Sequence, residues 1–346
     1  MKIDILTNAD HEPHGSFTGV TYKTIWGDSH RIGCGGAELA ILTLAEEWIK
    51  AGHEVVLYNT PWESGVSPFE QRPAGAFDPN ANRDVVIVFR SPTIRVVPAN
   101  GLKVWFSTDQ ATTGNFKEFA GAVNKIVCIS PFHAKFFADT YGITNTTVID
   151  LPVRASDFDA VTVEKVPNRF IFTSVPARGI KNFHRMWARI KQRVRDATAV
   201  ITSDYRLWGS GAGNEWARAM WMQHSDYEYM GAIPRSRYIE ELLKAEILLY
   251  PCNYEELFCI SVAEAQYAGV YPITSDVGAL ITTNMGCKLP VNPDDANGDQ
   301  VYIGEVVDIL KDRGRLGETI TELKQKAKER FSPETVLREW DEKIFK

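Results

Sequence analysis

The sequence lacks most of the features that would restrict this 346-residue chain to a narrow class of proteins. No apolar run approaches the roughly 20 residues that a membrane-spanning helix needs. Positive charge is not in excess, and the formal net charge of −6 argues against nucleic acid as a main partner. The segment Met1–Thr7 is too short and too acidic for a secretory signal peptide and is typical of a first strand.

Cysteine is also scarce and irregularly spaced. The five cysteines are an odd number and form no C-x-x-C pair, so the sequence indicates neither a disulfide framework nor a zinc site. Low-complexity tracts and short internal repeats are absent as well. We therefore expect a protein of the reducing cytoplasm.

What the sequence does contain is a regular alternation of strand-like runs and amphipathic helical runs. This order favours parallel sheets in an α/β fold. The chain is long for one core and suits two domains. The alternation breaks around 152–166 and then restarts, which predicts an N-terminal domain over 1–153, a second domain over 154–331 and a terminal helix over 332–346.

The most informative segment contains two glutamates, Glu256 and Glu264, with seven residues between them. It lies between the apolar runs Ile247–Tyr250 and Val270–Thr274, so it predicts a crossover from strand to helix. Open α/β sheets bind ligands at such crossovers, because the helix N-terminus offers unpaired N–H groups and a positive dipole end. Carboxylates there can accept hydrogen bonds from sugar or ribose hydroxyls while the amides face phosphate. The segment therefore predicts a nucleotide-sugar site.

A structural alternative exists for one of the two acids. Ser261 and Glu264 also fit a capping box, with serine at the N-cap and glutamate three residues later. This alternative gives no account of Glu256.

The whole segment resembles the E-x7-E signature of retaining glycosyltransferases with the GT-B fold, those of glycosyltransferase family four in particular. Phe258 and the run Glu264–Gly269 match the signature, whereas Cys259 stands where glycine is usual. The resemblance is collinear over nearly the whole chain. It implies two Rossmann-like domains whose parallel sheets face an interdomain cleft, with the terminal helix crossing back to the first domain.

Two cations follow the first predicted strand of the second domain. Arg178 and Lys181 lie three residues apart at the exit of this strand, where they can neutralise a leaving diphosphate without a metal. The alternative is a solvated basic face, since five more arginines and lysines continue along the next helix. The resemblance supports the first interpretation, because related enzymes place arginine and lysine on the donor diphosphate.

In the first domain, a glycine-rich turn containing Gly35 and Gly36 opens the first long helix. A dinucleotide fingerprint would follow its strand directly, but about 25 residues intervene after Thr7. The turn instead resembles the opening of family-four enzymes, in which this loop lies against the donor phosphates. Further on, Thr108 occupies the position where many relatives carry a histidine. The adjacent Asp109 is predicted to bind hydroxyls, with a helix-cap role as the alternative.

Two further patterns give no metal site. His11, His14 and His30 match no known ligand spacing, and the D-x-D string Asp157–Asp159 falls in the predicted linker. We therefore expect no metal and no cofactor apart from the nucleotide-sugar co-substrate.

Together these features predict a metal-independent, retaining hexosyltransferase that uses a nucleoside-diphosphate sugar, UDP- or GDP-linked. In this hypothesis Glu264 holds the ribose, Glu256 holds the donor sugar, and Gly209 borders the nucleobase or ribose. The predicted catalytic residues are Glu256, Arg178, Lys181 and Asp109, and the predicted donor-binding residues are Gly35, Gly36, Phe258, Cys259, Ile260, Ser261, Glu264 and Gly209.

The acceptor and two other functions stay open at this level. A glycan, a lipid-linked sugar or a small molecule can supply the acceptor hydroxyl. Phe and Lys residues in the helices over 113–123 and 131–141 leave open a weak contact with the inner face of a membrane. The alternatives are an inactive protein that binds sugar nucleotides or glycans, which the Thr108 replacement keeps open, and a sugar-nucleotide epimerase of similar shape.

Overall fold

The computed structural model describes residues 1–7, 33–59, 67–208 and 226–346. These residues fall into two compact units. The first unit contains residues 1–7, 34–59, 67–152 and 333–346. The second unit contains Gly33 and residues 153–208 and 226–332.

The first unit is built on a seven-stranded sheet in which every pairing is parallel. Its strands are β1 (Lys2–Thr7), β2 (Glu54–Asn59), β3 (Glu70–Pro73), β4 (Val85–Phe89), β5 (Leu102–Phe106), β6 (Lys125–Cys128) and β7 (Thr146–Val148), in the spatial order 3-2-1-4-5-6-7. All five residues of β4 are buried, as expected for a central strand that is covered on both faces. The strand order reverses between β1 and β4.

Helices cover this sheet. They are α1 (Gly36–Lys50), α2 (Phe116–Ala120), α3 (Pro131–Tyr141) and the C-terminal α11 (Pro333–Trp340). Trp340 of α11 meets Trp48 of α1 edge to face at 5.3 Å between ring centroids, and it lies at the same distance from Phe106. These buried aromatic contacts hold the last helix on the first unit.

The second unit has a six-stranded sheet, also parallel throughout. Its strands are β8 (Arg169–Phe172), β9 (Thr198–Ile201), β10 (Glu228–Tyr229), β11 (Ile247–Tyr250), β12 (Tyr271–Ser275) and β13 (Cys287–Leu289), in the order 10-9-8-11-12-13. Its helices are α4 (Ala155–Asp159), α5 (Ile180–Arg193), α6 (Arg235–Lys244), α7 (Ile260–Tyr267), α8 (Leu280–Thr283), α9 (Ala296–Lys311) and α10 (Arg313–Phe331). The predicted α/β class with two parallel sheets is therefore confirmed.

The strand order of the second unit positions its candidate site. β8 and β11 are neighbours at the centre of the sheet, although about 75 residues separate them along the chain. Because the strands are parallel, the loops after β8 and β11 leave the same edge side by side. These loops carry Arg178 and Glu256.

Among the described residues, no helix combines the length and the apolar character that crossing a membrane requires.

Candidate functional site

Arg178 and Glu256 form an ion pair at the carboxyl edge of the second sheet. The Arg178 Nη1 donates to both oxygens of Glu256, at 3.1 Å and 2.9 Å. The hydroxyl of Tyr250, the last residue of β11, donates to the same carboxylate at 2.6 Å. Glu256 is only 5% exposed, so these two donors take the place of solvent around its carboxylate.

The Arg178 guanidinium is held on a second side by an aromatic ring. It lies 4.3 Å from the ring centroid of Tyr254, a cation–π distance. Burial lowers the pKa of Arg178, but the facing Glu256 carboxylate raises it, and the net pKa lies above the usual range. Arg178 is therefore a permanent cation that keeps partial exposure at this edge.

Lys181 lies one turn further along, in the first turn of α5, where its side chain is exposed. Within the described part of the chain it forms no ion pair, so its ammonium group is available to an anion. The structure thus places the two predicted cations on one loop-to-helix junction but gives them different surroundings.

The helix α7 begins immediately after the Glu256 loop. Its N-cap is Cys259, with a left-handed φ of +72°, and no side chain caps the helix. The first hydrogen bonds inside the helix run from the N–H groups of Val262 and Ala263 to the Cys259 carbonyl, at 3.1 Å and 3.3 Å. The N–H groups of Ile260 and Ser261 therefore lie in the unpaired first turn, where a helix binds anions.

This geometry corrects the capping-box alternative. Ser261 is the second residue of α7 and not its N-cap, because the helix starts two residues earlier than the pattern suggests. The left-handed conformation of Cys259 permits the early start, and it explains why glycine would suit this position. Burial, followed by the Glu256 charge, raises the pKa of the Cys259 thiol well above its usual value, so the thiol is neutral.

Two contacts fix the loop that carries Glu256. Phe258 is buried and packs edge to face on Phe331 at 5.7 Å. On the other side, Gly278 has a φ of +56°, and a Cβ there would lie 2.7 Å from the Glu256 carbonyl oxygen. The turn after β12 therefore packs directly on the backbone of the Glu256 loop.

Glu264, the second acid of the signature, lies inside α7 in a separate buried cluster. The Arg235 Nη2 donates to one of its oxygens at 2.5 Å, and the Tyr238 hydroxyl donates to the other at 2.9 Å. Arg235 also donates through Nε to Asp157 at 2.8 Å. Asp157, one acid of the D-x-D string, is thus part of an arginine cluster that reaches Glu264.

The first unit contains a third carboxylate cluster. Arg90, the residue after β4, donates to both oxygens of Asp109 at 2.7 Å and to Glu38 at 2.7 Å. The Thr108 hydroxyl donates to Asp109 at 2.9 Å. The cap of the following helix α2 is Asn115, so the alternative cap role does not fall to Asp109.

Gly35 and Gly36 form the N-terminus of α1, with Gly35 as the N-cap residue. A Cβ on Gly35 would lie 2.2 Å from the Glu38 carboxylate, so glycine allows Glu38 to fold back toward Arg90. The turn and Asp109 are therefore joined through Arg90.

Some predicted residues cannot be placed. Gly209, His11, His14 and His30 lie outside the described residues. Within residues 1–7, 33–59, 67–208 and 226–346, no group of three or more His, Cys, Asp or Glu side chains has the arrangement of a metal site.

Five residues of these clusters escaped the sequence analysis: Arg90, Arg235, Tyr238, Tyr250 and Tyr254. Two of them carried a usable signal, since Arg90 and Tyr250 stand at the carboxyl ends of central strands, where polar groups meet the ligand edge. Arg235 and Tyr238 lie on α6, and nothing in their spacing indicates Glu264 as their partner.

Comparison with known proteins rests on structure. No family model matches the sequence, and no curated protein matches it. Among solved structures, HepE of Anabaena, solved with UDP and glucose, superposes with a TM-score of 0.69 at 13% identity, covering 100% of this chain and 99% of that one. The fold is GT-B.

Two other glycosyltransferase structures agree. A glycosyltransferase of Rickettsia africae has a TM-score of 0.69 at 15% identity and covers 99% of this chain and 96% of its own. Sucrose-phosphate synthase of Thermosynechococcus elongatus has a TM-score of 0.70 at 14% identity, with coverage of 99% and 98%. The predicted GT-B architecture is confirmed, while the family-four assignment stays a prediction.

Proposed function

We propose that this GT-B protein is a glycosyltransferase that moves a hexosyl group from a nucleoside-diphosphate sugar, UDP- or GDP-linked, to a hydroxyl acceptor. The observation that carries the proposal is the Arg178–Glu256 pair beside the open N-terminus of α7. A permanent cation, unpaired helix amides and an acceptor-only carboxylate meet at one sheet edge. This combination suits a diphosphate joined to a polyhydroxylated sugar.

The roles follow from the charges. Arg178, Lys181 and the N–H groups of Ile260 and Ser261 stabilise the diphosphate as it departs, a task in which fixed cations and dipoles supply a large part of the rate enhancement. The Glu256 carboxylate accepts hydrogen bonds from donor-sugar hydroxyls. Glu264 is assigned to the ribose.

We further propose that transfer retains the anomeric configuration and needs no metal, as in family four. The bond between the anomeric carbon and the phosphate oxygen breaks while the acceptor oxygen bonds to the same face, and the acceptor proton passes to the departing phosphate. Glu256 is already bonded to Arg178 and Tyr250, which lowers its nucleophilicity. This favours direct front-face attack over a covalent intermediate on Glu256.

Asp109 of the first unit is our candidate for binding acceptor hydroxyls. Its two oxygens are fixed by Arg90 and Thr108, yet its side chain keeps 24% exposure. A glycan or another hydroxyl-rich acceptor fits this chemistry. Two of the solved neighbours support a sugar acceptor or donor in this fold, since HepE is solved with UDP-glucose and TarM with an α-GlcNAc-glycerol.

The test is a thermal-shift series with UDP, GDP, ADP and CDP, with and without EDTA. A ligand at about 1,000 times its Kd stabilises the native state by about 4 kcal/mol, which is easily measured. We expect one nucleotide to raise the melting temperature equally with and without EDTA. Arg178→Ala is expected to abolish this increase, measured from the variant's own unliganded melting temperature.

Arg193→Ala is the matched control, because Arg193 is an exposed arginine in the last turn of α5, the helix that follows the Arg178 loop. It is expected to keep the full nucleotide response. If no nucleotide stabilises the wild type, or if both variants lose the response equally, the donor-site assignment is wrong.

The same preparation distinguishes an enzyme from an inactive binding protein, the alternative that Thr108 keeps open. The protein is incubated with the nucleoside-diphosphate sugar that contains the nucleotide which binds. Proton NMR of the anomeric signal then measures slow transfer of the sugar to water or to an added glycoside. Release of an α-configured product from an α-linked donor supports retention. Binding without any release favours the inactive protein.

A further inference from the structure

Glu264 is the centre of a buried polar cluster whose members come from three helices of the second unit. It is 2% exposed, and its two oxygens accept hydrogen bonds from Arg235 and Tyr238. Both donors lie on α6, one turn apart, and Glu264 lies on α7. The carboxylate is therefore held at both oxygens by one neighbouring helix.

Arg235 is itself held in place from the opposite side. Its Nε donates to Asp157 of α4 at 2.8 Å, and Arg154 bonds to the other oxygen of Asp157. The guanidinium also lies over the rings of Tyr238 at 5.2 Å and Phe158 at 5.9 Å. Because Arg235 has partners on two carboxylates, its orientation is set before any ligand arrives.

By count, these two hydrogen bonds do not exhaust the acceptor capacity of the Glu264 carboxylate. An ionised carboxylate has about four acceptor sites, and Arg235 and Tyr238 use one on each oxygen. The remaining site on each oxygen can accept from one hydroxyl, so the pair suits two adjacent hydroxyls such as a ribose diol. If the donors were lost, the buried carboxylate would turn toward another hydrogen-bond donor.

We propose that Arg235 and Tyr238 are positioning residues that orient Glu264 for the ribose diol of the donor nucleotide. The proposal rests on the proposed function, and it assigns to α6 a role that the E-x7-E signature does not contain. Neither residue is expected to touch the reacting atoms. Their effect is on recognition of the ribose, and it passes through Glu264.

The experiment compares two ligands on three variants by isothermal titration calorimetry. The ligands are the nucleoside diphosphate that stabilises the wild type and its 2′,3′-dideoxy analogue, which lacks the diol but keeps base and diphosphate. The wild type is expected to prefer the ribonucleotide by at least about tenfold, since each hydroxyl bonds a charged group. Tyr238→Phe and Arg235→Lys are expected to reduce this preference to about twofold or less.

The ratio of the two affinities is the decisive quantity, because a general loss of structure weakens both ligands together and leaves the ratio unchanged. Tyr227→Phe is the matched control: Tyr227 is a buried tyrosine of the same unit whose hydroxyl lies 3.3 Å from His184, away from Glu264. It is expected to keep the wild-type ratio.

Tyr238→Phe retains the ring and removes only the hydroxyl, so it carries the test if Arg235→Lys does not fold. A wild-type ratio in Tyr238→Phe overturns the proposal while the donor site stands. A wild type that binds the nucleotide without preferring the ribose diol also overturns it. If the wild type binds no nucleotide at all, the proposed function fails first and this inference fails with it.

Discussion

The Arg90 cluster of the first unit gives the sharpest stability prediction. One guanidinium joins two carboxylates from different elements, Glu38 on α1 and Asp109 after β5. Arg90→Met keeps an unbranched side chain of similar length and removes the charge. Both carboxylates then lose their cation at once.

The burial of the three side chains sets the magnitude. Arg90 and Glu38 are each 11% exposed at the side chain, and Asp109 is 24% exposed. Removing one partner of a buried ion pair typically costs about 3–5 kcal/mol, because the other charge is left buried without compensation. Asp109 keeps its bond from Thr108 and some contact with solvent, so we take the lower end, about 3 kcal/mol. For a unit of this size that is about 6–12 °C in melting temperature.

The assay is thermal unfolding followed by circular dichroism, applied to the three single variants and to the triple variant that combines them. Asp109→Asn and Glu38→Gln each remove one charge and leave Arg90 one partner, so each is expected to cost less than Arg90→Met. The triple variant, which has no unpaired charge, is expected to recover much of the stability that Arg90→Met loses.

Arg95→Leu is the control from the same unit, because its Nη1 donates to the Ala74 carbonyl at 2.8 Å. It is expected to cost about 1 kcal/mol, the usual worth of a single hydrogen bond. If Arg90→Met changes the free energy of unfolding no more than Arg95→Leu does, or if the triple variant is less stable than Arg90→Met, the reasoning is refuted.

Three smaller changes test the backbone and the buried histidine. Gly278→Ala is expected to lose nucleotide-induced stabilisation in thermal-shift measurements, whereas the control Gly142→Ala is expected to keep it. Both glycines have a left-handed φ, but only at Gly278 would a Cβ lie 2.7 Å from the Glu256 carbonyl oxygen. Equal behaviour of the two variants would contradict the prediction. Cys259→Gly is expected to raise the free energy of unfolding by up to about 1 kcal/mol by relieving the left-handed strain, a gain that Cys259→Ala should not share. Burial lowers the pKa of His133 to about 4, so the folded state does not take up the proton that the unfolded chain binds. Stability should therefore fall by up to about 3 kcal/mol as pH drops from about 6.5 to 4, and His133→Gln should lose this part of the acid sensitivity in pH-dependent unfolding.

The fold was predictable because its signal is local and repeated. Most strands of the parallel sheets are short apolar runs that alternate with helices, so the α/β class is predictable along the chain. The polar edge strand β3 (Glu70–Pro73) is an exception. The position of the E-x7-E segment at a strand-to-helix crossover was equally local, and the structure has β11, the Glu256 loop and α7 in that order.

The pairings inside the site could not be predicted in the same way. Arg178 and Glu256 are 78 residues apart, and they meet because β8 and β11 are adjacent in the sheet. Strand order depends on the packing of the whole unit, and no residue near Arg178 encodes it. The capping-box alternative at Ser261 failed for a different reason: a non-glycine residue with positive φ, here Cys259, is uncommon and leaves no pattern in the sequence.

The three carboxylates that the sequence singled out share one arrangement. Glu256 is bonded by Arg178 and the hydroxyl of Tyr250, Glu264 by Arg235 and the hydroxyl of Tyr238, and Asp109 by Arg90 and the hydroxyl of Thr108. In each case an arginine compensates the charge and a hydroxyl fixes the orientation.

A carboxylate held in this way is a weak nucleophile, since donors already occupy two of its acceptor sites. Its remaining acceptor sites are fixed in direction, which suits the recognition of hydroxyl groups. We therefore expect Glu256, Glu264 and Asp109 to bind and orient sugar hydroxyls, and we expect the leaving diphosphate to take the acceptor proton. Glu256→Gln tests this division of roles. The variant keeps the side-chain shape but removes the charge, so it should weaken donor binding and slow transfer. On the wild type, mass spectrometry should detect no covalent glycosyl adduct. Detection of an adduct on Glu256 would refute this division of roles.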